Sequence, residues 1–300
     1  MDHSDIRNFE NVHAPGDHLI LASGYQSEVR VMCIDLSDTS AEAKSRFGLS
    51  ESATQFCAEM MVGNAFMAHD LKNSDAKISS QLRTKDGSLS IVSFCNSAGE
   101  IRVSCTQPDL NPLGAEPFEL AASELRVIKT LMQGHPYTGI IEMESTNLAN
   151  AFAYYLKHSE QRASMMRFAH SIDRSGRWRV LGLFVELLPF ASEETIERVE
   201  KRARNFPDLE DLAEDFDTAE ILDLFLGDPE IRYLERQPLR YYCPCSKSYF
   251  EKKLISLGAA DLTELAEDAA GIDLHCDYCG SDYHYSQTEI RSMLDEVSRR

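Results

Sequence analysis

Cys243-Pro244-Cys245 and, after a gap of 30 residues that ends in His275, Cys276-Asp277-Tyr278-Cys279-Gly280 decide how the C-terminal part of this chain is read. Four sulfurs in two close pairs suit tetrahedral Zn²⁺: each pair offers two thiolates from one turn, and the fold between them brings the pairs together. Cys243, Cys245, Cys276 and Cys279 are therefore the expected metal ligands, with Zn²⁺ as cofactor. His275 and His284 stand beside the cluster and could replace a thiolate, although four cysteines already complete a closed shell. A thioredoxin-like CxxC would want a βαβ context with a helix directly after the motif, and neither is present. The surrounding pattern fits a small metal domain. Ser246 to Leu257 reads as a helix ended by Gly258, and Asp261 with Glu264 starts a second, ended by Gly271. Ile272 to Leu274 and Tyr283 to Tyr285 read as a hairpin, and Thr288 opens a last helix with Ile290, Met293, Leu294 and Val297 inward. A core of roughly 60 residues is marginal, so metal binding worth on the order of 10 kcal/mol would largely decide whether this segment folds.

Immediately upstream, Ser192 to Arg236 holds 15 acids and 6 bases, a net −9 out of −19 for all 300 residues. Ser192 can cap a helix with Ile196, Val199, Ala203 and Phe206 as its apolar stripe. Asp217 with Glu220 makes a capping-box start for Ala219 to Leu226, ending at Gly227. Leu209, Leu212, Phe216, Leu222 and Phe225 supply further apolar side chains. Helices this short depend on docking, and crowded like charges work against them. Two readings follow: a solvated helical connector, or a segment poised to melt and expose its stripes.

Residues 1–190 mix strand and helix patterns. His18 to Leu36 reads as paired strands around Gly24, with Val29, Val31 and Cys33 on one face. Ser50 can cap a helix from about Glu51 to His69, with Phe56, Met60, Met61 and Phe66 as its stripe. Ala76 to Thr84, Leu89 to Asn96 and Ile101 to Thr106 look like an antiparallel meander, turning at Asp86-Gly87 and Ser97-Ala98-Gly99. Leu125 to Met132 and Tyr137 to Met143 make a second hairpin through Gln133-Gly134-His135-Pro136. A helix over Asn147 to His158 and strands near Ala163 to Ala169 and Trp178 to Leu188 complete the region. Strands and helices without regular alternation favour α+β. GxGxxG after a strand, a P-loop, GxSxG and HExxH are all missing, so no enzyme site is visible. The remaining cysteines, Cys33, Cys57, Cys95 and Cys105, are scattered singly through apolar stretches and read as buried thiols.

The whole-chain balance narrows the function classes. With 49 acidic and 30 basic residues and a pI near 4.9, the chain repels phosphate backbones and anionic lipid, so neither nucleic acid nor membrane is expected as a partner. No apolar run approaches the roughly 18 to 20 residues of a membrane span. An acidic N-terminus without an apolar h-region carries no secretory signal, so a cytoplasmic location is expected.

A Cys₄ site has a default use, stabilising a zinc ribbon. Two features allow another: CxC is tighter than the usual spacing of structural ribbons, and four thiolates on Zn²⁺ carry a formal −2, leaving electron-rich sulfurs open to oxidants. The cysteine pattern, together with Tyr137 to Gln161 (YTGIIEMESTNLANAFAYYLKHSEQ) and Leu181 to Pro189, resembles the heat shock protein 33 family of redox-regulated bacterial chaperones. The resemblance spans nearly the whole chain. It implies an ATP-independent holdase that is zinc-bound and inactive when reduced. Oxidation would form disulfides Cys243–Cys245 and Cys276–Cys279, release zinc, undock the linker and turn a monomer into a homodimer that holds unfolding client proteins. Pro244 departs from the polar residue the resemblance implies between the first pair. The expected organisation is an α+β chaperone core over 1–190, mostly antiparallel sheet with packed helices, an acidic helical linker over 191–236 and a zinc-binding redox-switch domain over 237–300. Ile196, Val199, Phe206, Leu209, Leu212, Phe216, Leu222 and Phe225 are the candidate client surface, and no catalytic residue is expected. A constitutive zinc-ribbon adaptor and a thiol oxidoreductase are the alternative functions.

Overall fold

A computed structural model describes residues 13, 15–73, 76–110, 123–131, 136–143 and 147–298. The expected turn at Gln133 to His135 lies outside them. The chain divides into two compact units, Met1–Tyr241 and Tyr242–Arg300. The fold is α+β, with antiparallel sheets and packed helices.

In the first unit, β1 (His18–Gly24), β2 (Val29–Asp35), β8 (Ser164–Ile172), β9 (Trp178–Leu187) and β10 (Arg232–Pro238) form an antiparallel sheet in the order β10-β1-β2-β9-β8. A second sheet runs β11-β5-β4-β3-β6-β7, built from β3 (Lys77–Thr84), β4 (Ser90–Asn96), β5 (Glu100–Cys105), β6 (Ser123–Thr130), β7 (Tyr137–Glu142) and β11 (Arg240–Tyr241). The expected meander is its β3-β4-β5 part, and the expected hairpin is β6-β7. Only β11, added parallel to β5, breaks the antiparallel pattern among the described strands.

Three helices pack with these sheets, α1 (Ser37–Phe47), α2 (Glu51–Ala68) and α3 (Leu148–Ser159), and α2 shares one large apolar cluster with both sheets. The sequence stripe predicts an amphipathic α2. Instead it is buried all round from Cys57 to Ala68, because sheet strands pack on opposite sides of it. Such close packing needs gaps: a side chain at Gly63 would strike Phe152, and one at Gly182 of β9 would strike Val62 and Phe66. The β1-β2 pair is likewise buried on both faces. Met32 and Ile34 face the inter-sheet core, while Val29, Val31 and Cys33 face the outer side.

That outer side is covered by the acidic segment. Here α4 (Glu193–Asn205), α5 (Leu209–Ala213) and α6 (Thr218–Leu226) pack their apolar residues on β1, β2, β8 and β9. Ser192 caps α4, and the Asp217–Glu220 box at α6 makes both of its bonds, each 2.9 Å. The segment then continues into β10, which pairs with β1 at the sheet edge.

The second unit holds α7 (Lys247–Leu257), α8 (Ala259–Leu265), a two-stranded sheet of β12 (Ile272–His275) and β13 (Asp282–Tyr285), and α9 (Gln287–Ser298). Its core is small: Leu254, Leu262, Ala266, Tyr285, Ile290 and Met293. Among the described residues, no helix is long and apolar enough to cross a membrane.

Candidate metal centre

The first cysteine pair lies on the extended stretch that enters the second unit, directly before α7. Ser246 caps that helix by accepting from the Tyr249 N–H at 3.1 Å, which fixes where Cys245 ends and the helix begins. The Tyr285 hydroxyl donates to the Lys247 carbonyl, and Lys247 pairs with Glu289 of α9 at 2.6 Å. The first turn of α7 is thereby tied to β13 and α9.

The second pair sits in the β12-β13 turn. Gly280 N–H donates to the Cys276 carbonyl at 2.8 Å, Cys279 N–H to the same carbonyl at 3.2 Å, and Cys276 N–H to Ser281 at 2.9 Å. This tight knuckle needs Gly280 in the left-handed region, φ 70°, where a side chain would be strained. Both sulfurs then leave the turn on one side.

All four Sγ atoms lie within 4.8 Å of one another, with Cys243–Cys276 at 3.7 Å and Cys245–Cys279 at 3.0 Å. Zn–S bonds of about 2.3 Å in a tetrahedron require sulfurs about 3.8 Å apart. The cluster therefore has the size and donor set of a Cys₄ zinc cage, and it could hold a metal ion. The cysteines are free thiols rather than disulfides. They do not ionise alike. Burial pushes the Cys243 and Cys276 thiols up. Burial also opposes ionisation of Cys279, but hydrogen bonds with Cys245 and Ser281 outweigh it and bring Cys279 to about 6. Filling the site as four thiolates means displacing protons, which a divalent cation can do.

The histidines are placed elsewhere by strand alternation. Ile272, Leu274, Tyr283 and Tyr285 share the core-facing side of the hairpin. His275 and His284 fall on the other side, bonded across the strands to Asp282 at 2.7 Å and Asp273 at 2.9 Å. Two neighbours escaped the sequence reading: the Tyr283 hydroxyl donates to Cys245 Sγ at 3.3 Å, and Ser281 Oγ lies 3.3 Å from Cys279 Sγ. Hydroxyls next to a CxxCG turn were the available signal.

A sequence profile described as Hsp33 protein matches residues 17–286. The chain belongs to the Hsp33 family. The curated 33 kDa chaperonin of Ruminiclostridium cellulolyticum is 30% identical over 289 residues, covering 94% of this chain and 99% of that protein. The 33 kDa chaperonin of Bacillus subtilis is 29% identical, covering 94% and 100%. The crystal structure of the 33 kDa chaperonin from Thermotoga maritima superposes with a TM-score of 0.81 at 21% identity, over 95% of this chain and 100% of that one, and so shares the fold.

Within this Hsp33 fold the candidate client residues of the linker are mostly hidden. Val199, Phe206, Leu209, Leu212, Leu222 and Phe225 are buried against the outer sheet face, Ile196 is half-buried, and Phe216 is 37% exposed. The sequence placed them in one segment, and the structure brings six of the eight into one cluster.

Proposed function

We propose that this chain is a redox-gated, ATP-independent holdase of the bacterial cytoplasm, inactive when reduced and zinc-loaded. The observation that carries the reading is the cage of Cys243, Cys245, Cys276 and Cys279 inside a member of the Hsp33 family. Bound Zn²⁺ would supply a fixed tetrahedral crosslink between the 243–245 and 276–279 segments, neutralising thiolate charge in a unit with few buried side chains.

The protein side of the switch follows from the thiols. Each pair, Cys243 with Cys245 and Cys276 with Cys279, gives two electrons to one hydrogen peroxide, whose O–O bond breaks and which takes two protons from solvent, so that one S–S bond and two waters form. Disulfides within each pair close short loops and leave the two segments unlinked, so the crosslink is lost as the bonds form. Without it the small unit has little to hold it folded. Undocking of α4 to α6 would then bare Val199, Phe206, Leu209, Leu212, Leu222 and Phe225 with the sheet face beneath. That surface suits unfolding clients, which expose apolar chain, and a second copy of the opened protein. High net negative charge keeps such a molecule dispersed.

The test follows zinc release and aggregation of a thermally unfolding client together during peroxide treatment, in the natural chain and in Cys276→Ser. The holdase reading expects suppression only after oxidation, in step with zinc release, and a zinc-deficient Cys276→Ser chain. Equal suppression by the reduced, zinc-loaded form would sink the gating. Metal retained throughout oxidation would make the protein a constitutive zinc-ribbon adaptor, and catalytic reduction of insulin disulfides would make it an oxidoreductase.

A further inference from the structure

Strand β8 is the open end of its sheet. Among the described residues it pairs with β9 alone, and no backbone hydrogen bond reaches its other edge. In an antiparallel edge strand every second residue turns its N–H and C=O away from the one partner, so β8 carries a row of unpaired donors and acceptors. Its side chains alternate between two layers. Met166 and Phe168 join the inter-sheet core, and His170 reaches α2, where its Nε2 lies 2.9 Å from Glu59. Met165 and Ala169 join the cluster under the acidic helices, and Arg167 donates to the Ala203 and Pro207 carbonyls at 2.7 and 3.2 Å. Arg167 and His170, the side chains placed to guard the edge, are thus drawn toward the layers on either side of it.

A groove of about 730 Å³ opens along that seam. Its floor includes Met165 to Phe168, four consecutive residues, as a strand edge presents and a strand face does not. One wall is the start of α3, at Asn147 and Asn150, and the other is the start of α5, at Asp208 and Glu210. The charge left open in it is negative. Glu59 is held by His170 and by Gln55 at 3.2 Å, whereas Asp208 and Glu210 are exposed and have no ion-pair partner among the described residues.

We propose that this groove binds an extended, lysine- or arginine-bearing segment of a partner polypeptide, which adds to β8 as a further strand of the sheet. Backbone bonds to the open edge give affinity, and Asp208 and Glu210 select basic side chains that alternate toward the α5 wall. The site exists in the closed chain, apart from the broad apolar face that the acidic helices cover, so it does not rest on the redox gate. One wall belongs to the core and the other to the acidic segment, so an occupant touches both and favours the docked arrangement.

The test titrates the full-length, reduced, zinc-loaded protein into a short fluorescein-labelled peptide of alternating lysine and valine and reads anisotropy. Saturable one-to-one binding is expected. A chain of net −19 attracts any polycation, so two further measurements isolate strand addition. Strand addition uses the N–H of every second peptide residue: N-methylation of one alternate set should weaken binding at least about tenfold, and N-methylation of the other set should not. Hydrogen exchange in the complex should slow at β8 and at α5. Glutamate in place of the lysines should abolish binding, and D208N with E210Q should weaken it about fivefold while the unfolding midpoint is kept. The proposal is overturned by the absence of saturable binding, by equal affinity of the two N-methylated peptides, by a glutamate peptide that binds as tightly as the lysine one, or by exchange protection that falls elsewhere. Every readout is made on the reduced chain, so failure here is distinguishable from failure of the redox gate.

Discussion

Asp17 shows how one side chain can act on a distant element. At the start of α1 the N-cap residue, Leu36, has no polar side chain; Asp35 accepts from the Ser37 N–H at 3.0 Å, and the distant Asp17 carboxylate accepts from the Asp38 N–H at 2.9 Å and the Thr39 N–H at 2.5 Å. It does so while 7% exposed, and burial, only partly offset by those bonds, raises it from 3.8 to about 6. A folded-state pKa above the unfolded one means that the folded chain holds the proton more tightly. Protonation therefore contributes stability fully below pH 3.8, and the contribution is lost as pH rises through 6, a loss of about 3 kcal/mol. Urea unfolding at pH 4 and pH 7 checks this: in Asp17→Asn the decline in unfolding free energy should be smaller than in the natural chain by about that amount. Tyr25 is a second case. Tyr25, Gln26 and Ser27 all have positive φ, 51°, 55° and 69°, an uncommon run for residues with side chains. The turn is held from outside: the Tyr25 hydroxyl donates to the Leu226 carbonyl and its N–H to Asp228, each at 2.5 Å. Tyr25→Phe leaves that buried carbonyl unpaired and should cost about 1–2 kcal/mol, read as a lower urea midpoint and faster hydrogen exchange at the end of α6. Neither role was legible in the sequence, because nothing local to residue 17 or 25 shows which helix end it will meet. The four cage cysteines were legible for the opposite reason, since their spacing is itself the chemical signal.

At the scale of elements, the acidic segment offers the clearest physical trade. Its helices carry their own start signals, at Ser192 and at the Asp217–Glu220 pair, and those were readable because caps are local. What holds them in place is burial. Phe206 and Phe225 meet edge-to-face at 5.0 Å, and Leu222 and Phe225 are fully buried on the sheet. Phe225→Ala should cost about 3–5 kcal/mol of docking, enough to raise the binding of an apolar dye to the reduced protein. If α4 to α6 gate the apolar face, the same variant should also suppress client aggregation without oxidant; dye binding unchanged from the natural chain would remove the basis for both expectations. The stripe on α2 misled for a related reason. Periodicity reports one buried face, and it cannot show that sheets will close over both sides of a helix whose polar positions, Glu59 and Asn64, find partners in His170 and Ser80. β10 was missed because Arg232–Pro238 is mostly exposed and highly charged, a strand made by its edge pairing with β1 rather than by its own pattern.

For the molecule as a whole, the two units differ in what sustains them. The first has apolar clusters on both faces of a five-stranded sheet, and the second has a core of six buried residues and a sulfur cage. Metal removal by a strong chelator under reducing conditions should accordingly melt the second unit while leaving the first folded. Two thermal transitions with metal present should become one, with loss of hydrogen-exchange protection over residues 242–298 and, as α4 to α6 undock, over 193–226, while the sheets of the first unit keep theirs. The sequence by itself determined the α+β class, the meander, the helix caps of the acidic segment and the four clustered cysteines, since all of these rest on interactions between residues close in the chain or on a spacing that names its own chemistry. Only the tertiary structure decided that the acidic helices lie with their apolar stripes against a sheet, and that His275 and His284 turn away from the core-facing side of their hairpin. Those outcomes depend on which surfaces meet across long stretches of chain, and burial, being non-directional, leaves no mark of its partner in the local pattern.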